Sequence, residues 1–388
     1  MSASPLTEVA DPRVFAQDAD PVHAPLLELA AASLAVSSTA RADDIDRIVV
    51  GSVAAQLRSG DGLLLSELFS AAPSFPVARY LWRRLIDAWR EASKVAEGEG
   101  VATMLFAMPA VIIAGTTSAS AQGPTGVLAD SERIAMLLRE HHALAGNKNF
   151  ALSNALIAAD ALDIARLPGL LASQRRALAG KVEIFDLPPT PLAVQRGHEG
   201  VHLRFLVGHA VSAPTVDIFA NADTARWGFP VATELARQLG VADVSLLALP
   251  GPPLPPPAAL AQGRSAQRAV GAQLFASNAI RRLRASVGEP SAVISAHACP
   301  SAPGGGELRL SLSSVFESRD AEGFRCPLFP TDAVGDVAAM LVELLRDCRV
   351  GDVRVLPGVQ ADRDPTTGLT LLFKADALPA GATPAQLH

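Results

Sequence analysis

The chain has 388 residues, of which 49% are hydrophobic and 19% charged, so it can bury substantial cores and is not a disordered protein. Its net charge of −6 and pI near 5.8 exclude binding to nucleic acid through a general positive field. With a single tyrosine and few other aromatic residues, it also lacks the composition of a base-stacking surface.

Residues 1–22 are rich in Ala, Asp, Pro and Ser, which predicts a flexible arm. They contain no apolar run behind a basic start, so we expect no secretory signal. The uncharged stretch 101–129 has an apolar part shorter than the roughly 20 residues that cross a bilayer. Three widely spaced cysteines fit a reducing compartment. We therefore expect a soluble, cytoplasmic protein with no membrane span.

Hydrophobic periodicity and capping residues predict helices and strands throughout residues 23–249. The clearest helix follows Pro76, because Val77, Leu81, Leu85 and Trp89 recur at helical spacing. Expected helices are 24–35, 62–70, 77–96, 131–142, 168–179 and 229–239; expected strands are 101–113, 182–187, 201–207, 216–220 and 244–249, while 150–157 fits either.

The Pro-rich segment 250–258 is the clearest predicted boundary, because consecutive prolines favour a stiff, exposed connection. It separates an N-terminal lobe, 23–249, from a C-terminal lobe, 259–378, which precedes a tail at 379–388. In the second lobe we expect helices at 259–286 and 331–349 and strands at 292–296, 308–315, 353–356 and 369–373. The expected fold class is α/β (mixed α+β), with two lobes of strands and amphipathic helices.

Two further hypotheses concern the topology. The order strand, helix, strand over 216–249 suggests a β-α-β unit. An Arg-bearing helix, a strand, a loop, a helix and a strand describe both 77–157 and 259–356, and Leu-Leu-Arg-Glu at 137–140 matches Leu-Leu-Arg-Asp at 344–347. Internal duplication and coincidence in an Ala/Leu/Arg-rich chain both explain this match.

The sharpest chemical motif is His198-Glu199-Gly200-Val201-His202, which fits H-E-x-x-H. On a helix, the two histidines share a face and bind zinc while the glutamate activates a water. The pentapeptide resembles the site of zincin metalloproteases. The resemblance implies a zinc-dependent hydrolase with Glu199 as catalytic base, His198 and His202 as metal ligands, and Glu234 as a third ligand.

The residues around the motif favour a different structure. Gly197 and Gly200 each disfavour a helix by about 1 kcal/mol relative to Ala. Three prolines precede the motif, and the residues from Val201 to Val207 are typical of a strand. We therefore expect His202 to lie in a strand and expect neither a metal nor another cofactor, with zinc kept as the alternative.

Other candidate sites are weaker. His297, Cys299, Cys326 and Cys348 form a loose set of zinc ligands without the paired spacing of structural sites, so we expect buried cysteines instead. No complete nucleophile or phosphate-binding motif is present.

The sequence does not decide whether the chain is an enzyme, because many active sites have no short motif. We favour a non-catalytic scaffold, assembly factor or subunit of a larger bacterial protein complex. Such a protein binds other protein subunits or further copies of itself, and neither nucleic acid nor a membrane. The alternative is the zinc-dependent hydrolase.

Overall fold

The structure is a computed structural model, and it is mixed α+β, as the sequence predicts. Contacts between Cα atoms divide the chain into two compact units that meet between Ala266 and Gln267. None of the helices among the described residues is long and apolar enough to cross a membrane. The described residues are 23–93, 102–114, 126–144, 149–180, 200–212, 218–219, 223–239, 244–286, 288–299, 302, 304–314, 322–360 and 376–377.

A cluster of helices begins the first unit. The predicted helices are confirmed, but α2 was not predicted although Ile45, Val49, Val53 and Leu57 recur every four residues and are all buried. Its C-cap, Gly60, has the left-handed φ of 84° that favours glycine there. The cluster consists of α1 Ala24–Ala35, α2 Thr39–Ser59, α3 Gly62–Ser70, α4 Phe75–Ser93 and α6 Leu167–Gly180.

The first sheet has the strand order β2-β3-β1-β4, with all three pairings antiparallel. The segment 150–157, whose sequence fits a strand or a helix equally well, forms the strand β2. Two amphipathic helices, α5 and α7, pack on one face and bury Phe106, Phe150 and Leu206 in a shared core. The elements are β1 Ala102–Ala114, α5 Ser131–Glu140, β2 Asn149–Ala158, β3 Gly200–Ser212, α7 Thr224–Leu239 and β4 Val244–Ala248.

The Pro-rich segment 250–258 is not exposed, so that expectation is wrong. Leu254 continues the edge of the sheet beyond β4, since it exchanges two backbone hydrogen bonds of 2.8 and 3.0 Å with Ala107 of β1. Prolines tolerate an edge position because they lack an N–H to donate there, and Pro253 and Pro255 are buried. Its role as a connection between lobes stays a prediction.

The helix α8, Pro256–Ser286, begins at the end of this segment and crosses the boundary between the units. Its N-terminal part packs on the first sheet at Gly263. A Cβ atom there would come within 2.8 Å of Leu203 and 3.0 Å of Phe205, so only glycine allows this close approach.

The second sheet belongs to the second unit and has the order β8-β5-β6-β7-β9. The C-terminal part of α8 and the helix α9 contribute to the apolar core on one of its faces. The short β7 was not predicted. The elements are β5 Pro290–Ala298, β6 Gly306–Ser314, β7 Glu322–Pro327, α9 Val334–Asp347, β8 Asp352–Gln360 and β9 Asp376–Ala377.

The topology bears on the duplication and β-α-β hypotheses. In the first sheet β3 separates β1 from β2, whereas in the second sheet β8 pairs directly with β5. The compared segments therefore sit differently in their sheets, and duplication stays a hypothesis.

β8 follows α9 and runs parallel to β5, so the chain makes a crossover within the second unit. Of the expected strand 216–220, only Ile218 and Phe219 are described, and they form a turn. The strands expected at 182–187 and 369–373, the arm 1–22 and the tail 379–388 lie outside the described residues.

Candidate functional site

The described part of the H-E-x-x-H segment is a strand. Gly200 pairs with Ala114 and His202 with Ile112 across the β1–β3 ladder. His198 and Glu199 lie outside the described residues. A zincin places its histidines one turn apart on a helix. Gly200 and His202 have the extended backbone of a strand instead of a helical one.

The environment of His202 opposes its protonation. Its side chain is half-buried, and burial followed by the nearby Arg204 cation lowers its pKa below the usual range. Arg204 lies two residues further along β3, on the same face of the sheet. Both effects favour the neutral imidazole of His202, which lies near the start of β3.

Glu234, which the zincin resemblance implies as a third metal ligand, is engaged in hydrogen bonds within α7. Its carboxylate accepts hydrogen bonds from Arg237 at 2.6 and 3.0 Å and from Gln238 at 2.7 Å. The Arg237 guanidinium, ahead of Gln238, lowers the pKa of this carboxyl to about 2. Gln238 also donates to the backbone oxygen of Asp130, the N-cap of α5. Glu234 thus orients a side chain that joins α7 to α5.

The loose set of histidine and cysteines is dispersed. Cys326 is on the apolar face of β7, where burial raises its pKa to about 12, and His297 points to the opposite face of the same sheet. Cys348 is the C-cap of α9, and Cys299 begins the β5–β6 connection. The described residues contain no group of three or more His, Cys, Asp and Glu side chains that could hold a metal.

The sequence reasoning missed a polar cluster on the second sheet. Side chains alternate along each strand, so the residues that do not face the core of α8 and α9 share the other face. We call this surface the polar face. Its buried members on the two central strands are mostly polar and are 1–9% exposed: Ser291, Val293, Ser295 and His297 of β5, and Glu307, Arg309, Ser311 and Ser313 of β6. Arg325 of β7 lies on the same face, as do Asp352 and Arg354 of β8.

The centre of the polar face has the residue types of a catalytic triad. Ser295 Oγ lies 2.9 Å from His297 Nε2, and Glu307 is directly opposite His297 on the neighbouring strand. A histidine that hydrogen-bonds a serine through Nε2 can accept the proton of the hydroxyl. The arrangement therefore has the donor and acceptor geometry of a Ser–His pair.

The carboxylate of Glu307 is bound to arginines. Arg309 Nε donates to Glu307 Oε1 at 2.7 Å, and Arg325 donates through Nε and Nη2 at 2.9 to 3.1 Å. These charge-assisted bonds connect β6 and β7 across the ladder, in which Arg309 and Arg325 are direct partners. Glu307 is thus the anionic centre of an ion-pair network between strands.

A second buried ion pair lies on the opposite side of this sheet. Arg268 of α8 binds Asp332 with its two Nη atoms at 2.5 and 2.9 Å. Asp332 also accepts the backbone N–H of Phe329 at 2.8 Å. The two side chains are only 7% and 11% exposed. The pair fixes α8 to the segment between β7 and α9.

Comparison with protein-family models, with curated proteins and with solved structures finds no match to this chain.

Proposed function

We propose that this chain is a non-catalytic subunit or assembly factor that works by binding other proteins. The single observation that supports this most is the burial of the Ser295–His297 pair. These side chains are 1% and 3% exposed, so a substrate does not reach the hydroxyl in this conformation. Buried polar side chains on this face instead stabilise the pairing of strands, as Glu307 of β6 does by accepting hydrogen bonds from Arg325 of β7.

The structural role of the pair has a direct consequence for stability. Replacing Ser295 by Ala removes a partner of a buried imidazole, which costs about 1–3 kcal/mol. In a catalytic pair, the same substitution typically removes activity with a smaller effect on stability. Denaturant unfolding of Ser295→Ala, with Thr233→Ala on the exposed side of α7 as a control, measures this cost.

An exposed aromatic side chain supports the binding role. Phe229 of α7 is 81% exposed, whereas Trp227 and Val231 of the same helix are buried. Burial of a phenylalanine against a partner contributes strongly to association. Phe229 is therefore the first residue to test as a contact.

Affinity isolation from the native host tests the proposal. We expect wild type to retain a stoichiometric protein partner or a further copy of the chain, and Phe229→Ser to lose it. Leu63→Ser is the matched control, because Leu63 is 73% exposed on α3, a different helix. Identical recovery with Phe229→Ser would contradict the role of α7. Recovery of the chain alone at low and physiological salt would contradict the proposed function.

The zinc-dependent hydrolase predicts another result from the same preparation. It requires one zinc per chain, lost in both His198→Ala and His202→Ala. We expect zinc content to be unaffected by either substitution, because Gly200 and His202 lie in β3. If the wild type carries one zinc ion per chain and both variants lose it, the result would contradict the proposed binding role and support the zinc-dependent hydrolase.

A further inference from the structure

The strand β8 forms one edge of the second sheet. Among the described residues it pairs only with β5, in parallel, so its other side has no neighbouring strand there. Asp352 and Arg354 of β8 are 51% and 64% exposed, and Val355 is 39% exposed. The residues of β5 that pair with these three are all buried. β8 therefore lies at the solvent boundary, where an open strand edge can pair with another chain.

The apolar core of the second unit continues to this edge and is incompletely covered there. Val353 and Val355 pair with Ala292 and Ile294, which belong to the core that α8 and α9 share. Val353 packs against that core, whereas Val355 on the same face is exposed. Gly351, directly before the strand, has no atom within 4 Å of an added Cβ. The edge thus presents an apolar side chain and, four residues earlier, unoccupied space for another one.

The charges on the other face of β8 are self-complementary. Asp352 and Arg354 both lie on the polar face, with Arg354 Nε 3.7 Å from Asp352 Oδ2. When two copies of β8 run antiparallel around a two-fold axis at Val353, Asp352 of each copy lies opposite Arg354 of the other. Opposite charges directly across an antiparallel pair stabilise it, and like charges destabilise it.

The same register also matches the apolar residues. Each residue pairs with the one equally far on the other side of Val353, so Val353 lies opposite its own copy. Val355 then lies opposite Gly351 of the other copy, where space is open. A two-fold dimer requires such a surface, because the same residues contribute to both sides of the contact.

The other sheet edges in the described part of the chain fit a second copy less well. The outer edge of β2 is occupied, since Leu128 donates to the Asn154 oxygen and Leu156 to the Gly126 oxygen, each at 2.8 Å. The strand β9 has only two residues. The strand β4 has no charged side chain that selects a register. Of these edges, β8 alone combines exposed backbone with paired opposite charges.

We propose that two copies of this chain form a dimer through antiparallel pairing of β8 with β8 of the other copy, centred on Val353. The pairing joins the two second sheets into one sheet that is continuous across the two-fold axis. This inference goes beyond the proposed function, because β8 can pair whether or not another protein binds at Phe229 of α7.

Sedimentation velocity of the purified full chain, over a wide range of concentrations, tests the dimer. We expect wild type to pass from monomer to dimer as concentration rises. Arg354→Asp and Asp352→Arg each place two like-charge pairs across the axis, so each should raise the dissociation constant about tenfold or more. Both positions are exposed, so circular dichroism should show an unchanged fold. Arg47→Asp, at an exposed position of α2, is the matched control and should dimerise like wild type.

An equimolar mixture of the two charge variants makes the test specific to the register. The two aspartates of one variant then lie opposite the two arginines of the other, so the mixture should form a heterodimer although each variant pairs weakly with itself. Native mass spectrometry identifies the heterodimer by its mass.

Three results would each overturn the proposal: a wild type that stays monomeric, charge variants that dimerise as tightly as wild type, or a mixture without heterodimer. A monomeric wild type that still retains another protein in affinity isolation would overturn the dimer and support the proposed function.

Discussion

Tyr80 connects three helices of the first unit. Its hydroxyl donates to Asp46 Oδ1 at 2.5 Å, and Arg84 binds the other carboxylate oxygen at 2.9 Å. Ser33 of α1 also donates to Asp46, at 3.3 Å. Burial, followed by the hydrogen bond to Asp46, raises the pKa of Tyr80 to about 12. The cluster is a part of the packing of α1, α2 and α4.

Because the chain has one tyrosine, its ionisation can be followed directly by ultraviolet absorbance. We expect a midpoint near pH 12 in the folded protein, against the ordinary 10.0 when unfolded. The folded pKa is the higher one, so this stabilisation is full below pH 10 and is lost as pH rises towards 12. Asp46→Asn should lower the midpoint. A folded midpoint equal to that of the denatured chain would contradict the cluster.

The buried pair of Arg268 and Asp332 predicts a large effect from a single substitution. Arg268→Ala leaves the carboxylate of Asp332 buried without its guanidinium, which costs about 3–5 kcal/mol. The control is Arg47→Ala, which breaks an exposed pair with Asp44 on α2 and should change stability little. Denaturant unfolding curves measure both. Equal midpoints for the two variants would show that the Arg268 pair contributes no more than a surface pair.

At the scale of secondary-structure elements, hydrophobic periodicity predicted the helices and strands that are strongly amphipathic. The helices α4, α5 and α7 and the strands β1 and β3 were found within a few residues. Helix α2 was missed because charged residues near its start obscure the four-residue apolar repeat. The six-residue β7 was missed because its few apolar residues include no run long enough to notice.

The polar face could have been found from the sequence, whereas its burial could not. Glu-Leu-Arg-Leu-Ser-Leu-Ser at 307–313 alternates strictly, which places every polar side chain on one face. The three glycines at 304–306 favour a hairpin loop between β5 and β6, and the register of these strands places Glu307 opposite His297. Burial depends on tertiary packing, and no local pattern encodes it.

Two glycines give a matched prediction about elements. Gly51 lies inside α2 with no atom within 4 Å of an added Cβ, so Gly51→Ala should stabilise by about 0.5–1 kcal/mol. At Gly208 in β3, a Cβ would lie 2.5 Å from the Phe106 ring and 2.6 Å from the Ala151 carbonyl. Gly208→Ala should therefore destabilise by about 1–3 kcal/mol. Thermal unfolding distinguishes the two, and effects of the same sign would contradict the packing of β3.

At the scale of the whole molecule, each compact unit has its own sheet and apolar core, and the boundary falls inside α8. The sequence placed a division close by, at the prolines, because they interrupt helix and sheet patterns. It could not show that these prolines are buried or that Leu254 pairs with β1, since both depend on contacts between residues far apart in the chain. The boundary between the two units is therefore set by packing contacts, and it does not coincide with the Pro-rich segment.

Native mass spectrometry of the protein isolated from its own host tests the binding role most directly. One spectrum reports bound proteins, further copies of the chain, and any tightly held metal. We predict species heavier than the 40.3 kDa chain by a stoichiometric protein partner or by whole copies, with no zinc in equimolar amount. A lone 40.3 kDa chain that carries one zinc ion would contradict this account and favour the hydrolase.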